Sequence, residues 1–151
     1  MVSINNLTEN KIDESFVTNL IDITTKGEKV SKPVEVSIAF IGPGRMRKLN
    51  KIYRKKNRVT DVLAFPSSAV SFQKFKIGPL EKIDGLGEMV ICPREIKKNA
   101  RKFAVSFEQE LARIIIHGFL HLLGYDHEKS EADAKAQEKK QEQYLKQANI
   151  T

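Results

Sequence analysis

HGFLHLLGYDH, residues 117 to 127, holds all three histidines of a 151-residue chain. His117 and His121 are four residues apart, inside FEQELARIIIHGFLHLL (residues 107–123), the most apolar helical stretch of the sequence. With about 3.6 residues per turn, positions i and i+4 lie one above the other on one helix face. Two imidazoles so placed can share a metal ion. Gly124 is placed to stop the helix, as glycine commonly does, and His127 can then return as a third nitrogen ligand. Three neutral imidazoles leave one position of a tetrahedral zinc site open, which is the catalytic arrangement rather than the closed structural one. One zinc ion is therefore expected. Nickel or another divalent transition metal is the alternative, because site affinity ranks metals poorly in cells. A lone histidine on an apolar helix face is explained by packing; three at this spacing, with none elsewhere, are not.

The spacing resembles H-E-x-x-H-x-x-G-x-x-H of the metzincin metalloproteases. His117, His121, Gly124 and His127 all fall on it. Gly118 stands where the protease carries the glutamate that activates water for attack on a peptide. The window keeps a metal holder and lacks the protease base, which argues against peptide hydrolysis. Asp126 reads as a turn-stabilising residue ahead of the alternative, a carboxylate that orients a ligand imidazole. Glu128 reads as solvated.

The elements that must position this window follow from pattern. MVSINNL at the start is a short strand or a frayed end. Ile12, Phe16, Leu20 and Ile21 recur at helical spacing over residues 10–26, with Gly27 ending that helix. VEVSIAFI (residues 34–41) alternates as a half-buried strand does. Gly42, Pro43 and Gly44 predict a turn, followed by an amphipathic helix to about Lys56. VLAFP (residues 62–66) is a short strand, residues 67–84 a loop, and GLGEMVIC (residues 85–92) another strand. Pro93 opens a helix over residues 93–104, a position where its missing N–H is harmless. Ser106 with Glu108 and Gln109 marks the next helix start. From Glu131 onward the mostly charged sequence predicts a solvated helix. This order implies an α+β fold, a small mixed sheet of about four strands covered by helices. No repeat or linker divides residues 1–151, so a single domain is expected.

Composition narrows the functional classes. No apolar run is long enough for a membrane span, and the N-terminus lacks a basic region followed by an apolar core, so no secretory signal is expected. The single cysteine, Cys92, excludes an intramolecular disulfide and reads as a small buried residue; cytoplasmic residence is the expectation. The net charge is +7, and its placement is more telling than its size. Arg45, Arg47, Lys48, Lys51, Arg54, Lys55, Lys56 and Arg58 run without an acid until Asp61. Such a run suits a polyanion backbone. Lys97, Lys98, Arg101 and Lys102 form another cluster, read as a solvated face. Phe72 and Phe75 could stack on bases, although packing is the plainer account of each.

Three stretches, in order, resemble the YbeY family of bacterial rRNA maturation factors. HGFLHLLGYDH matches its H-G-x-L-H-L-x-G-Y-D-H signature, YRKKNRVTDVLAFP (residues 53–66) its Y-R-x-K-x-x-x-T-[DN]-V-L-S-F-P, and GEMVIC (residues 87–92) its G-D-[IV]-x-I-C. Ala64, Glu88, Lys55 and Val59 depart from the usual Ser, Asp, Gly and Pro. The resemblance implies a metal-dependent endoribonuclease that prefers single-stranded RNA and acts in maturing the 3′ end of small-subunit ribosomal RNA and in ribosome quality control. It implies partners among the ribosome or its proteins, and a bacterial cytoplasmic setting. Metal ligands would be His117, His121 and His127. Arg54 and His117 would be catalytic, Arg54 gripping phosphate oxygens with its guanidinium. Arg45, Lys48, Lys51, Lys55, Lys56 and Arg58 would track the RNA backbone. The general base is not identified, and hydrolysis by water or attack by the RNA's own 2′-hydroxyl both fit. The alternative is an rRNA- or ribosome-binding assembly factor with a structural zinc.

Overall fold

A computed structural model describes residues 1–30, 33–66, 86–126 and 128–150. His127, Phe72, Phe75, Gly85 and the loop expected over residues 67–84 lie outside the described residues. The elements run β1 (Val2–Asn6), α1 (Glu14–Gly27), β2 (Val36–Phe40), α2 (Pro43–Arg54), β3 (Val62–Pro66), β4 (Gly87–Ile91), α3 (Pro93–Lys102), α4 (Phe107–Leu122) and α5 (Glu131–Gln147). Among the described residues the strands form one mixed sheet in the order β1-β2-β4-β3. β1, β2 and β4 are parallel, with Val2 opposite Val36 and Val36 opposite Gly87. β3 runs antiparallel to β4, with Leu63 opposite Val90. The fold is α+β, as the order of elements predicts.

Alternation along the strands divides the core in two. Val36, Ile38, Phe40, Met89 and Ile91 face α1, α3, α4 and α5, packing against Leu20, Ile96, Ile115, Phe119 and Tyr144. Ala39, Ile41, Leu63, Phe65, Val90 and Cys92 face the other way, against Met46 and Leu49 of α2. Each large side chain so buried contributes roughly 1.5–3 kcal/mol relative to exposure. β2 is buried along its whole length, not half-buried, because α2 covers the face that alternation alone would leave to water. Cys92 is fully buried and free; burial first, opposed by backbone hydrogen bonds, pushes its thiol pKa up.

Caps decide where the helices begin. Asp13 accepts the Phe16 N–H at 3.2 Å, so α1 starts later than residue 10. Pro43 and Gly44 are not a turn: they open α2, with Gly42 as its cap and Pro43 in the first turn, where a fixed φ suits the helix. Ser106 and Gln109 form a reciprocal capping box at the head of α4, at 2.9 and 3.0 Å. α5 is not simply solvated. Gln137, Gln141, Tyr144 and Leu145 are buried, and the helix packs on α4.

Gly87 starts β4 with φ +151°, and a Cβ there would sit 2.4 Å from the Phe65 carbonyl oxygen and 2.9 Å from Leu122. Gly87→Ala should therefore cost about 2–3 kcal/mol. Urea unfolding would show this as a lower midpoint, and an unchanged midpoint would refute the account.

Candidate active site

The tail of α2, the strand β3 and the polar face of α4 enclose a cleft of about 540 Å³. Arg54, Asp61, Arg113, His117, His121 and Glu128 supply its ionisable groups; Tyr53 and Val62 to Phe65 supply an apolar wall. Arg113, His117 and His121 are successive i, i+4 positions of α4, so one face of that helix lines the cleft. The opposite faces, with Leu111, Ile115, Phe119 and Leu122, are buried.

Gly118 sets the depth of the helix. A Cβ there would come within 2.6 Å of the Met89 methyl and 3.4 Å of Val62. The position that holds a base in the proteases is here a contact surface with the sheet.

Each cleft histidine is held through the same ring nitrogen. His121 Nδ1 lies 3.0 Å from the Tyr125 carbonyl oxygen. A carbonyl can only accept, so Nδ1 carries the hydrogen and Nε2 the lone pair. His117 Nδ1 lies 3.0 Å from Gln141 Oε1, while Gln137 donates to the His117 carbonyl at 3.0 Å. Gln137 Nε2 stands 3.3 Å from the same ring nitrogen, so two glutamines of α5 hold His117 through Nδ1. A ring nitrogen tied to a neighbouring protein group is the support that metal-binding imidazoles ordinarily have, so both residues fit a zinc-class ion. The third nitrogen of the motif, His127, is outside the described residues, and among those described no group of three or more His, Cys, Asp or Glu is gathered for a metal.

Arg54 is the last residue of α2 and pairs with Glu128 at 2.8 Å. Glu128 is thus not merely solvated. The pair is open to water, with side chains 39% and 62% exposed, and such pairs contribute little net stability. α2 stops because Lys55 turns left-handed, φ 56° and ψ 30°, a conformation that glycine adopts without strain. Asn50 holds the following loop by donating to the Arg58 carbonyl at 2.9 Å. Arg45, Lys48, Lys51, Lys55, Lys56 and Arg58 are all exposed. None of these lines the cleft; of the basic run only Arg54 does. Asp126 accepts the Glu128 N–H at 3.0 Å, the turn-stabilising contact expected of it.

A family model, endoribonuclease YbeY, matches residues 3–149. The chain belongs to the YbeY endoribonuclease family. A protein of Staphylococcus carnosus named endoribonuclease YbeY is 39% identical over 119 residues, covering 79% of this chain and 75% of that one. One of Phytoplasma australiense with the same name is 35% identical over 149 residues, covering 99% and 96%. The solution structure of a Thermotoga maritima protein superposes with a TM-score of 0.64 at 31% identity, covering 98% of this chain and 89% of that one.

Sequence reasoning missed one residue of this YbeY-family cleft, Arg113, and several that support it from outside. Arg113 stands one helical turn before His117, a spacing visible in the sequence. Gln137 and Gln141 gave no local signal, because a glutamine pair on a polar helix reads as solvated. Glu28 is the remotest. It accepts from Tyr125 at 2.7 Å, from Tyr144, and pairs with Lys140 at 3.5 Å. It thereby anchors the turn whose carbonyl holds His121. Desolvation opposes the Glu28 charge, but both phenols and Lys140 outweigh it and hold its pKa below the usual carboxylate range. Burial and this carboxylate push Tyr125 up to about 12. A depressed folded-state pKa adds stability above the unfolded value, and that stability is lost as pH falls through the folded one. Glu28→Gln should cost about 1–3 kcal/mol at pH 7. In urea titrations the gap from wild type should close as the pH drops below the ordinary carboxylate range; a gap independent of pH would contradict the linkage.

Proposed function

We propose that this cleft cuts single-stranded RNA with one divalent ion, zinc first, held by His117, His121 and His127. We propose further that its substrate is the 3′ region of small-subunit ribosomal RNA, met on or near the ribosome in the cytoplasm. One observation carries the reading: Arg54 and two histidines, each held through Nδ1, line the same cleft. No described helix is long and apolar enough to cross a membrane. When bound, the ion would supply Lewis acidity to water and to a phosphoryl oxygen.

The chain's own groups do the rest. Arg54 is a preformed anion site, because Glu128 already holds its guanidinium at the cleft. An arriving phosphodiester can take the place of that exposed carboxylate and receive the guanidinium in its two-pronged geometry. Both cleavage routes, by water or by the 2′-hydroxyl, build negative charge on the non-bridging oxygens, so Arg54 stabilises the transition state in either. The exposed cations of α2, on the element that ends at Arg54, hold the flanking backbone. Tyr125 and Gln141 keep the imidazoles oriented through Nδ1, so neither ring must be ordered when substrate binds.

Single-turnover cleavage of a single-stranded RNA, with bound metal quantified, tests this. Arg54→Ala should keep the metal and lose cleavage by roughly 10²–10³-fold, the scale for removing one transition-state donor. His117→Ala should lose both. Equal cleavage by all three proteins would leave the chain an RNA-binding assembly factor with a structural metal.

A further inference from the structure

Arg113 is set in the wall of the cleft and also in the wall of a separate groove of about 540 Å³. The groove is mainly apolar, lined by Phe103, Val105, Leu145 and Ile150. Phe103 is 53% exposed. It follows the last turn of α3, where Arg101 and Lys102 are also exposed, and the Lys102 ammonium stands 5.6 Å from its ring centroid. An exposed aromatic beside cations is the pattern with which proteins hold the bases and backbone of single strands.

Arg113 is unusually fixed for a surface arginine. Its Nε and Nη2 each meet a Glu110 oxygen at 2.8 Å, and Glu110 is only 2% exposed. Burying a carboxylate is costly, and here the pairing holds a guanidinium at the junction between cleft and groove. The pair uses Nε and Nη2, which leaves Nη1 to donate to an anion. Hydrogen bonds to Glu110, more than desolvation, push the Arg113 pKa still higher, so the cation is permanent.

We infer that the strand leaving the catalytic cleft crosses Arg113 with a phosphate and lays its next base on Phe103. This makes a nucleotide subsite outside the cutting centre, and it rests on the RNA-cutting reading above. The occupant of the groove is a base rather than a phosphate, because the lining is mainly apolar and Glu142 in it would repel an anion. The phosphate stays at the Arg113 rim and takes Nη1, the nitrogen that Glu110 does not engage.

The test is equilibrium binding of a short 2′-O-methylated single-stranded RNA to the full-length protein across a salt series, with wild-type cleavage measured beside it. Phe103→Ala should weaken binding roughly tenfold and leave the salt slope unchanged, because stacking releases no counterions. Phe103→Tyr should restore it. Arg113 is best removed with its partner, as Glu110→Gln/Arg113→Met, so that no buried charge is orphaned. That protein should bind roughly tenfold more weakly, with a slope shallower by about 0.7, one phosphate contact on a single strand. Wild-type affinity in Phe103→Ala, with wild type cutting normally, overturns the subsite and gives the groove to an apolar protein segment. Wild type that neither binds nor cuts RNA overturns the functional reading, and the subsite with it.

Discussion

The position of α4 governs the rest of the molecule. The helix packs against α1, α3, α5, β3 and β4, and it can lie this close to the sheet because Gly118 leaves room for the Met89 methyl. Close packing on three sides fixes both its height and its rotation, since cores resist even small changes in volume. Its remaining face must then look toward β3 and the end of α2. Arg113, His117 and His121 are on that face, so the direction of the chemical groups follows from the packing of the apolar ones.

Two carboxylates, Glu110 buried and Glu28 part-buried, hold the arrangement from outside the cleft histidines. Glu28 ties the end of α1 to Tyr125 and Tyr144, and Glu110 ties down Arg113. Each is costly to desolvate, and each has that cost offset by two strong donors. Neither touches an imidazole directly. Glu28 acts through the turn whose carbonyl orients His121, and Glu110 through a neighbouring cation.

Local signals in the sequence were read well and distant pairings were not. Strand β3 was legible to the residue, and α4 was legible because its apolar periodicity and its Ser106 cap agree. The Gly-Pro-Gly stretch misled because the same residues serve a turn and a helix start, and only the cap geometry separates them. β2 looked half-buried because its covering helix, α2, is a separate element. The i, i+4 histidines were legible as a shared face. That Arg54 meets Glu128 was not, since 74 residues separate them and no local pattern encodes that contact. Lys55 shows the reverse case. It departs from the glycine usual at that place in the YbeY pattern, and the left-handed backbone found there is what a glycine would serve.

The Arg54–Glu128 contact also bears on when in folding the cleft is assembled. The arginine is carried by an early helix, the histidines by a late one, and the turn bearing Glu128 follows later still. Contacts between residues so far apart in sequence form only when most of the chain has collapsed. A nascent or partly folded chain therefore holds Arg54 without the imidazoles, or both without the packing that brings them together. The cleft that gathers Arg54, His117 and His121 arrives only with the completed fold.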